Sequence, residues 1–71
     1  MNLIINGEDR QFDSMLTIST LLDRLGMKPD RVAVELNCQL VPRERWGITQ
    51  LSDDDKLEIV HFVGGGVDRL P

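Results

Sequence analysis

The sequence has only one cysteine, Cys38, and one histidine, His61, among its 71 residues. A single cysteine excludes an internal disulfide, and these two side chains cannot supply the three or four ligands of a structural zinc site. The fold must therefore be held by its apolar residues, which make up 41% of the chain, and we expect no metal. A lone thiol also favours the reducing cytoplasm over an oxidising compartment.

Long apolar runs and an excess of positive charge are also missing. No stretch approaches the roughly 20 apolar residues that span a bilayer, and the N-terminal segment turns polar by Asn6, too soon for a secretion signal. The net charge of −4 argues against nucleic acid, whose binding depends on neutralising phosphates with Lys and Arg. We therefore expect neither a membrane nor a nucleic-acid partner. A mildly acidic surface instead favours docking on a basic protein.

Paired catalytic groups are absent as well. The sequence shows no nucleophile placed beside a base and no carboxylate dyad at a useful spacing. The acidic run Asp53–Asp55 indicates a solvated turn, because three consecutive residues do not converge on a cation. Cys38 is interpreted as a plain thiol and His61 as a surface or boundary residue. We expect a reactant or a binding protein rather than an enzyme.

Local patterns predict one helix. Its apolar face consists of residues at positions i, i+3, i+4 and i+7, namely Ile18, Leu21, Leu22 and Leu25. Thr17 can cap the start of this helix with its hydroxyl, and Gly26 ends it.

Strands are predicted on both sides of the helix, at residues 3–5, 11–13, 31–36, 39–41 and 56–63. Asn6–Gly7 and Asn37–Cys38 are predicted turns, since Asn-Gly tolerates the positive φ angles of tight hairpins. Residues 43–47, with Trp46, are expected to form an irregular or single-turn link. The element order predicts an α+β fold in which one main helix packs on a mixed four- to five-stranded sheet. This is the β-grasp order of ubiquitin-like proteins.

Period-two alternation divides the strand side chains between the two faces of the sheet. The set predicted to face the helix is Leu3, Ile5, Leu57 and Ile59. The set predicted on the opposite face is Ile4, Val60 and Phe62. Apolar side chains on an uncovered face often mark a partner site; the alternative is that strand register or a loop covers them.

The last predicted strand is followed by the glycines Gly64, Gly65 and Gly66, and then by residues 67–71. We expect residues 1–63 to form the folded domain and residues 64–71 a flexible tail. Three residues without Cβ atoms can pass through a narrow channel and reach roughly 10 Å when extended, at ~3.3–3.6 Å per residue. Such a thread can carry a carboxylate into another protein's active site if Gly66 ends the chain. The ordinary alternative is a flexible linker or a tag junction.

Over residues 1–66 the chain resembles the ThiS family of sulfur carriers. The matching segments are Leu3–Gly7, Thr17–Leu25, Val32–Asn37, Leu40–Trp46 and Leu57–Gly66. The Val-Pro-Arg-Glu-x-Trp segment and the Val-His-Phe-Val-Gly-Gly-Gly ending separate it from the molybdopterin carrier and from ubiquitin. The resemblance implies a β-grasp fold and a glycine carboxylate, here that of Gly66, which a ThiF-like enzyme adenylates with ATP. Gly64 and Gly65 would form the thread.

The resemblance also implies partners. Sulfur from a cysteine desulfurase system would replace AMP and leave a thiocarboxylate, which is passed to thiazole synthase (ThiG) for thiamine biosynthesis. ATP belongs to the activating enzyme, so no cofactor is expected on this chain. Ile4, Val60 and Phe62 are the predicted docking face of a cytoplasmic, monomeric carrier.

One departure from the family concerns the C-terminal residues. Family members usually end at the glycines, whereas Val67–Pro71 follow here. With these residues attached, the terminal carboxylate sits on Pro71, so the chain as written is predicted to be inactive as a carrier. We hypothesise a proprotein cut between Gly66 and Val67, as a JAMM-type metalloprotease does for some relatives. A vector-encoded extension and a divergent carrier are the alternatives.

Two other functions stay open at this point. One is a non-covalent ubiquitin-like interaction module that keeps its tail. The other is a sulfur carrier for a different product, such as molybdopterin, cysteine or a thiolated nucleoside.

Overall fold

The computed structural model describes the backbone of residues 1–63 and 66–69 and the side chains of residues 1–62. The strands and the helix are β1 (Asn2–Ile5), β2 (Glu8–Gln11), α1 (Ile18–Arg24), β3 (Val32–Leu36), β4 (Gln39–Val41), β5 (Asp55–Val63) and β6 (Gly66–Arg69). Two 3₁₀ turns lie at Pro29–Arg31 and Arg43–Arg45. Within these described ranges, no helix is long and apolar enough to cross a membrane.

Five strands form the main sheet in the order β2-β1-β5-β3-β4, and β6 adds to β5. β1 and β5 run parallel, whereas the other pairs are antiparallel. The sheet is therefore mixed, and β5 lies at its centre. This confirms the predicted β-grasp arrangement of one helix and a mixed sheet.

The helix follows the sequence prediction closely. The Thr17 hydroxyl accepts a hydrogen bond from the Thr20 amide, and the Thr20 hydroxyl accepts one from the Thr17 amide. This reciprocal capping satisfies two amides that have no partner inside the helix. At the other end, Gly26 has a φ of +73°, which glycine adopts without a steric penalty.

The core lies between α1 and one face of the sheet. Ile18, Leu21 and Leu22 of the helix are buried, and so are all four strand residues that were predicted to face it. Trp46, predicted only as part of a link, is also a core residue with 3% of its surface exposed. Its indole Nε1 donates to the Val41 carbonyl at 2.8 Å, so the one polar atom of the ring is satisfied.

The second strand begins three residues earlier than predicted and ends two residues earlier, at Glu8–Gln11 instead of residues 11–13. The reason is the turn: Ile5 pairs with Glu8 directly across Asn6 and Gly7, and a two-residue loop fixes the register of the strands it joins. All four residues of β2 are exposed. Charged residues are common on edge strands, where they discourage pairing with other chains.

The C-terminal residues also differ from the prediction. Residues 64–71 were expected to be a flexible tail, but Gly66–Arg69 form β6 and pair antiparallel with Val60–Val63. Flexibility was predicted because glycine runs are typical of linkers. The C-terminal half of β5, however, has an unpaired edge, and residues 66–69 pair with it. Residues 64, 65, 70 and 71 lie outside the described residues.

Candidate functional site

The central strand β5 leads directly into the glycine run. It pairs with β1 through Asp55–Leu57 and with β3 through Leu57–His61. Leu57 and Ile59 are 1% and 0% exposed, so the strand is anchored in the core. The residues that follow Val63 therefore start from a fixed position in the fold.

Asn6 fixes β5 on the side of β1. Its amide donates to the Leu57 carbonyl at 2.9 Å. Its side chain then bonds both backbone groups of Ile59: Oδ1 accepts from the amide at 2.8 Å and Nδ2 donates to the carbonyl at 3.2 Å. The asparagine side chain thus makes the two hydrogen bonds that the backbone of a neighbouring strand would otherwise make with Ile59.

Asn37 holds β5 in a related way on the side of β3. Its amide donates to the Lys56 carbonyl at 2.7 Å, and its Oδ1 accepts from the Lys56 amide at 3.0 Å. Asn6 and Asn37 have φ angles of 51° and 50°, a region that asparagine enters more readily than most residues. The sequence predicted both turns, but these contacts to β5 were missed. The only local sequence signal for these contacts was the asparagine that follows a predicted strand in each turn.

The predicted docking residues share the sheet face that lies opposite α1. Val60 and Phe62 are two residues apart on β5, and Phe62 is 43% exposed. Ile4 lies opposite Lys56, four residues before Val60, which corresponds to about 13 Å along a strand. Val60 and Phe62 therefore form one patch, and Ile4 is separate from it.

Two acidic residues lie between Ile4 and that patch. Glu58 of β5 pairs with Glu35 of β3, so two negative charges sit side by side next to Val60. On the Ile4 side, these glutamates line a surface cavity of about 260 Å³ together with the exposed Cys38. Lys56 also lines this cavity, so the border of the apolar patch on this side carries charges of both signs.

The three predicted carrier glycines are only partly described. Gly66 pairs with Val63 in the antiparallel β5–β6 ladder. Gly64 and Gly65 lie outside the described residues, so their role as a thread stays a prediction. In the part of the chain whose side chains are described, no group of three His, Cys, Asp or Glu residues is arranged to hold a metal ion.

Comparisons with known proteins connect this geometry to a family. The family model described as "ThiS family" matches residues 3–66. The crystal structure of the thiamine biosynthesis protein ThiS from Geobacter metallireducens superposes with a TM-score of 0.81 at 36% identity, over 93% of this chain and 100% of that one. The sulfur carrier protein ThiS of Bacillus subtilis is 40% identical over 65 residues, which are 90% of this chain and 98% of that protein.

A longer relative matches beyond the glycines. The thiazole synthase of Paramagnetospirillum magneticum is 46% identical over 69 residues, which are 97% of this chain but 21% of that enzyme. The chain thus spans about a fifth of the length of the thiazole synthases it matches. With 69 of 71 residues inside the match, the similarity continues past Gly66 to residue 69 or further. This disfavours a vector-encoded origin for Val67–Arg69.

The family model covers residues 3–66, and the solved structure and the Bacillus subtilis protein cover 93% and 90% of this chain. The chain belongs to the ThiS family.

Proposed function

We propose that this chain carries sulfur as a thiocarboxylate on Gly66, for thiazole synthesis in thiamine biosynthesis, after the residues that follow Gly66 are removed. The observation that carries the proposal is the family match, which ends at Gly66. In the sequence, the glycine run directly follows the anchored central strand β5. The chain is then a protein co-substrate, and catalysis belongs to its partners.

The chemistry requires activation of the Gly66 carboxylate. A carboxylate is a poor electrophile, and its oxygen is a poor leaving group. Attack of this carboxylate on the α-phosphorus of ATP, in a ThiF-like enzyme, would release pyrophosphate and form an acyl adenylate. Sulfide attacking the acyl carbon would expel AMP and leave the thiocarboxylate directly. A persulfide from a cysteine desulfurase system would expel AMP and form an acyl disulfide, whose S–S bond a thiol must reduce to release the thiocarboxylate.

Thiazole synthase is the proposed acceptor of the sulfur. Two thiazole synthases contain a region similar to this chain, at 46% and 42% identity, which favours thiazole over molybdopterin, cysteine or a thiolated nucleoside as the product. A peptidase of the JAMM type is our proposal for the enzyme that removes the residues after Gly66. The single exposed thiol, Cys38, supports a reducing compartment, which we take to be the cytoplasm.

The experiment compares two forms of the chain, one ending at Gly66 and one continuing to Pro71. Each is incubated with a ThiF-like enzyme, ATP and inorganic sulfide, and its intact mass is measured. We expect one oxygen to be replaced by sulfur in the shorter form only, because only its carboxylate lies on the glycine thread. If neither form changes in mass while both remain folded, the chain is better described as a non-covalent interaction module.

The apolar patch of Val60 and Phe62 is the proposed docking surface for the activating enzyme. Large, partly exposed aromatic residues often dominate interface energies. We expect Phe62→Ala to weaken binding to that enzyme about tenfold, or about 1.4 kcal/mol, with an unchanged unfolding midpoint. The net charge of −4 favours a basic partner surface.

Ile48→Ala is the matched control for this substitution. Ile48 is 72% exposed, and it lies in the segment whose Trp46 and Thr49 carbonyls accept from amides of α1, on the helix side of the sheet and away from the patch. Calorimetric titration of both variants should show a loss of affinity for Phe62→Ala alone. Equal affinities for Phe62→Ala and the unsubstituted chain would remove Phe62 from the docking surface.

A further inference from the structure

The two outer edges of the main sheet carry their own protection against pairing with other chains. β2 forms one edge, and three of its four residues are charged. β4 forms the other edge; it is three residues long and is followed by Pro42. Charge, shortness and proline are the usual means of blunting a sheet edge.

The C-terminal half of β5 forms a third edge that has none of these features. β1 pairs with β5 only as far as Leu57, and the Asn6 side chain extends this ladder by one position, to Ile59. Beyond Ile59, the sequence Val60–Val63 contains no Asp, Glu, Lys or Arg and is rich in residues that favour strands. An edge of this kind is a template for pairing with another chain.

The backbone groups that face this edge can be identified from Ile59. Its amide and carbonyl point toward Asn6, on the side of β1. Because successive residues of a strand direct their backbone groups to alternate sides, His61 and Val63 point the same way. The opposite side of β5 is taken by β3, where Val32 pairs with His61.

β6 supplies partners for these groups. His61 lies opposite Asp68, and Val63 lies opposite Gly66. Since both β5 residues direct their amides and carbonyls to this edge, these two are the hydrogen-bonded pairs of the ladder. The amide of Val67, between them in β6, therefore points away from β5.

We propose that residues 67–69 act as an internal edge cover, which holds Gly66 against Val63 and withholds the glycine run from partner enzymes until the β5–β6 pairing is released. This inference rests on the proposed carrier function of Gly66. With Gly66 paired to Val63, the glycine proposed to carry sulfur lies against β5 and does not extend away from the body, as entry into a narrow channel requires. Release must therefore precede both hydrolysis of the Gly66–Val67 bond and presentation of Gly66.

Removal of the cover has two coupled consequences. Hydrolysis adds one water across the peptide bond, so that Gly66 gains its carboxylate and Val67 its amine. The same cut removes Asp68, the partner of His61, and leaves the Val63–Gly66 pair without the strand that held it in place. The trimmed chain therefore gains a reactive end and an open sheet edge in one step.

Two proline substitutions in the full chain separate the cover from other effects of the tail. Asp68→Pro removes an amide that faces His61 and places a ring against β5, so it should split β6 from the sheet. Val67→Pro removes an amide that faces solvent, a position where an edge strand accepts proline. Residue-resolved amide exchange by NMR reports both outcomes, because exchange measures local opening.

In Asp68→Pro and in the chain ending at Gly66, we expect the His61 and Val63 amides to exchange at least about tenfold faster than in the unsubstituted chain. In Val67→Pro these amides should exchange as slowly as in the unsubstituted chain. A tenfold change corresponds to about 1.4 kcal/mol. The Ile59 amide, held by Asn6, should stay slow in every form and shows that the domain is folded. If the Ile59 amide also exchanged fast in Asp68→Pro, that substitution would have disturbed the whole domain. The comparison would then rest on the chain ending at Gly66.

The proposal is overturned if the His61 and Val63 amides exchange equally fast in the unsubstituted chain and in the chain ending at Gly66. It is also overturned if Asp68→Pro, with Ile59 still protected, leaves them as slow as in the unsubstituted chain. Neither result depends on sulfur chemistry. Conversely, failure of the chain ending at Gly66 to form a thiocarboxylate would count against the carrier function and leave the exchange result intact.

Discussion

Gly66→Val, introduced in the chain that ends at residue 66, should lower the rate of thiocarboxylate formation at least about a hundredfold. A branched side chain on the last residue cannot follow a main-chain thread into a channel that admits only backbone. Even a displacement of about 1 Å at a reacting group can cost about a hundredfold in rate. The measurement is the initial rate of thiocarboxylate formation by intact mass, with saturating activating enzyme, ATP and sulfide.

Two controls distinguish a blocked thread from a damaged protein. The unfolding midpoint of Gly66→Val should be unchanged, because Gly66 lies seven positions after Ile59, the last buried residue among those whose side chains are described. Its affinity for the activating enzyme should also be kept, because Val60 and Phe62 are intact. A variant that forms thiocarboxylate within a few-fold of the normal rate would refute the thread hypothesis.

Asn6→Ala should destabilise the domain by about 2–4 kcal/mol. The substitution leaves the backbone amide and carbonyl of Ile59 without partners, at a residue with 0% exposure, and an unsatisfied buried group costs about 1–3 kcal/mol. Alanine is also strained at the φ of 51° that Asn6 adopts. Such a loss is a large share of the roughly 4–10 kcal/mol expected for a domain of this length.

Asn37→Ala is the matched control, because Asn37 has nearly the same φ, 50°, and also bonds the backbone of β5. Its hydrogen bonds are exposed, so water can replace the lost side chain. We expect a loss of about 1 kcal/mol for this variant, chiefly from the backbone strain. Urea unfolding of both variants measures the difference, and equal losses would show that the contact of Asn6 with Ile59 adds nothing beyond its turn.

The sequence predicted the parts of the fold that local patterns control. The helix was predicted correctly because Ile18, Leu21 and Leu22 mark its buried face and Thr17 marks its start. β2 was placed too late because its charged residues looked unlike a strand. There the tight turn at Asn6–Gly7 determined the pairing, and the propensity of the residues did not.

The site was less accessible to sequence reasoning because its contacts join distant residues. The Asn6 side chain bonds Ile59, 53 positions later, and nothing in the residues around either one indicates that pairing. Trp46 was likewise assigned to a link, although it lies in the core. Ile4 was grouped with Val60 and Phe62 by alternation alone, which gives the face of a residue but not its distance along the sheet.

The edge pairing of β6 shows a different limit. Glycine runs usually indicate flexible chain, and the sequence gives no local reason for residues 66–69 to form a strand. The reason is the open half of β5, which exists only once β1 has ended at Ile5 and Asn6 has bonded Ile59. Such a strand follows from the assembled sheet and cannot be read from its own residues.

The central claim is that Gly66 becomes the reactive end of this chain. The most direct test is the intact mass of the untagged protein purified from its own cells. We predict that part of the material ends at Gly66, with one carboxylate oxygen replaced by sulfur in some molecules. Material that continues past Gly66 in every molecule would contradict the account, because no glycine carboxylate would then be present to carry sulfur.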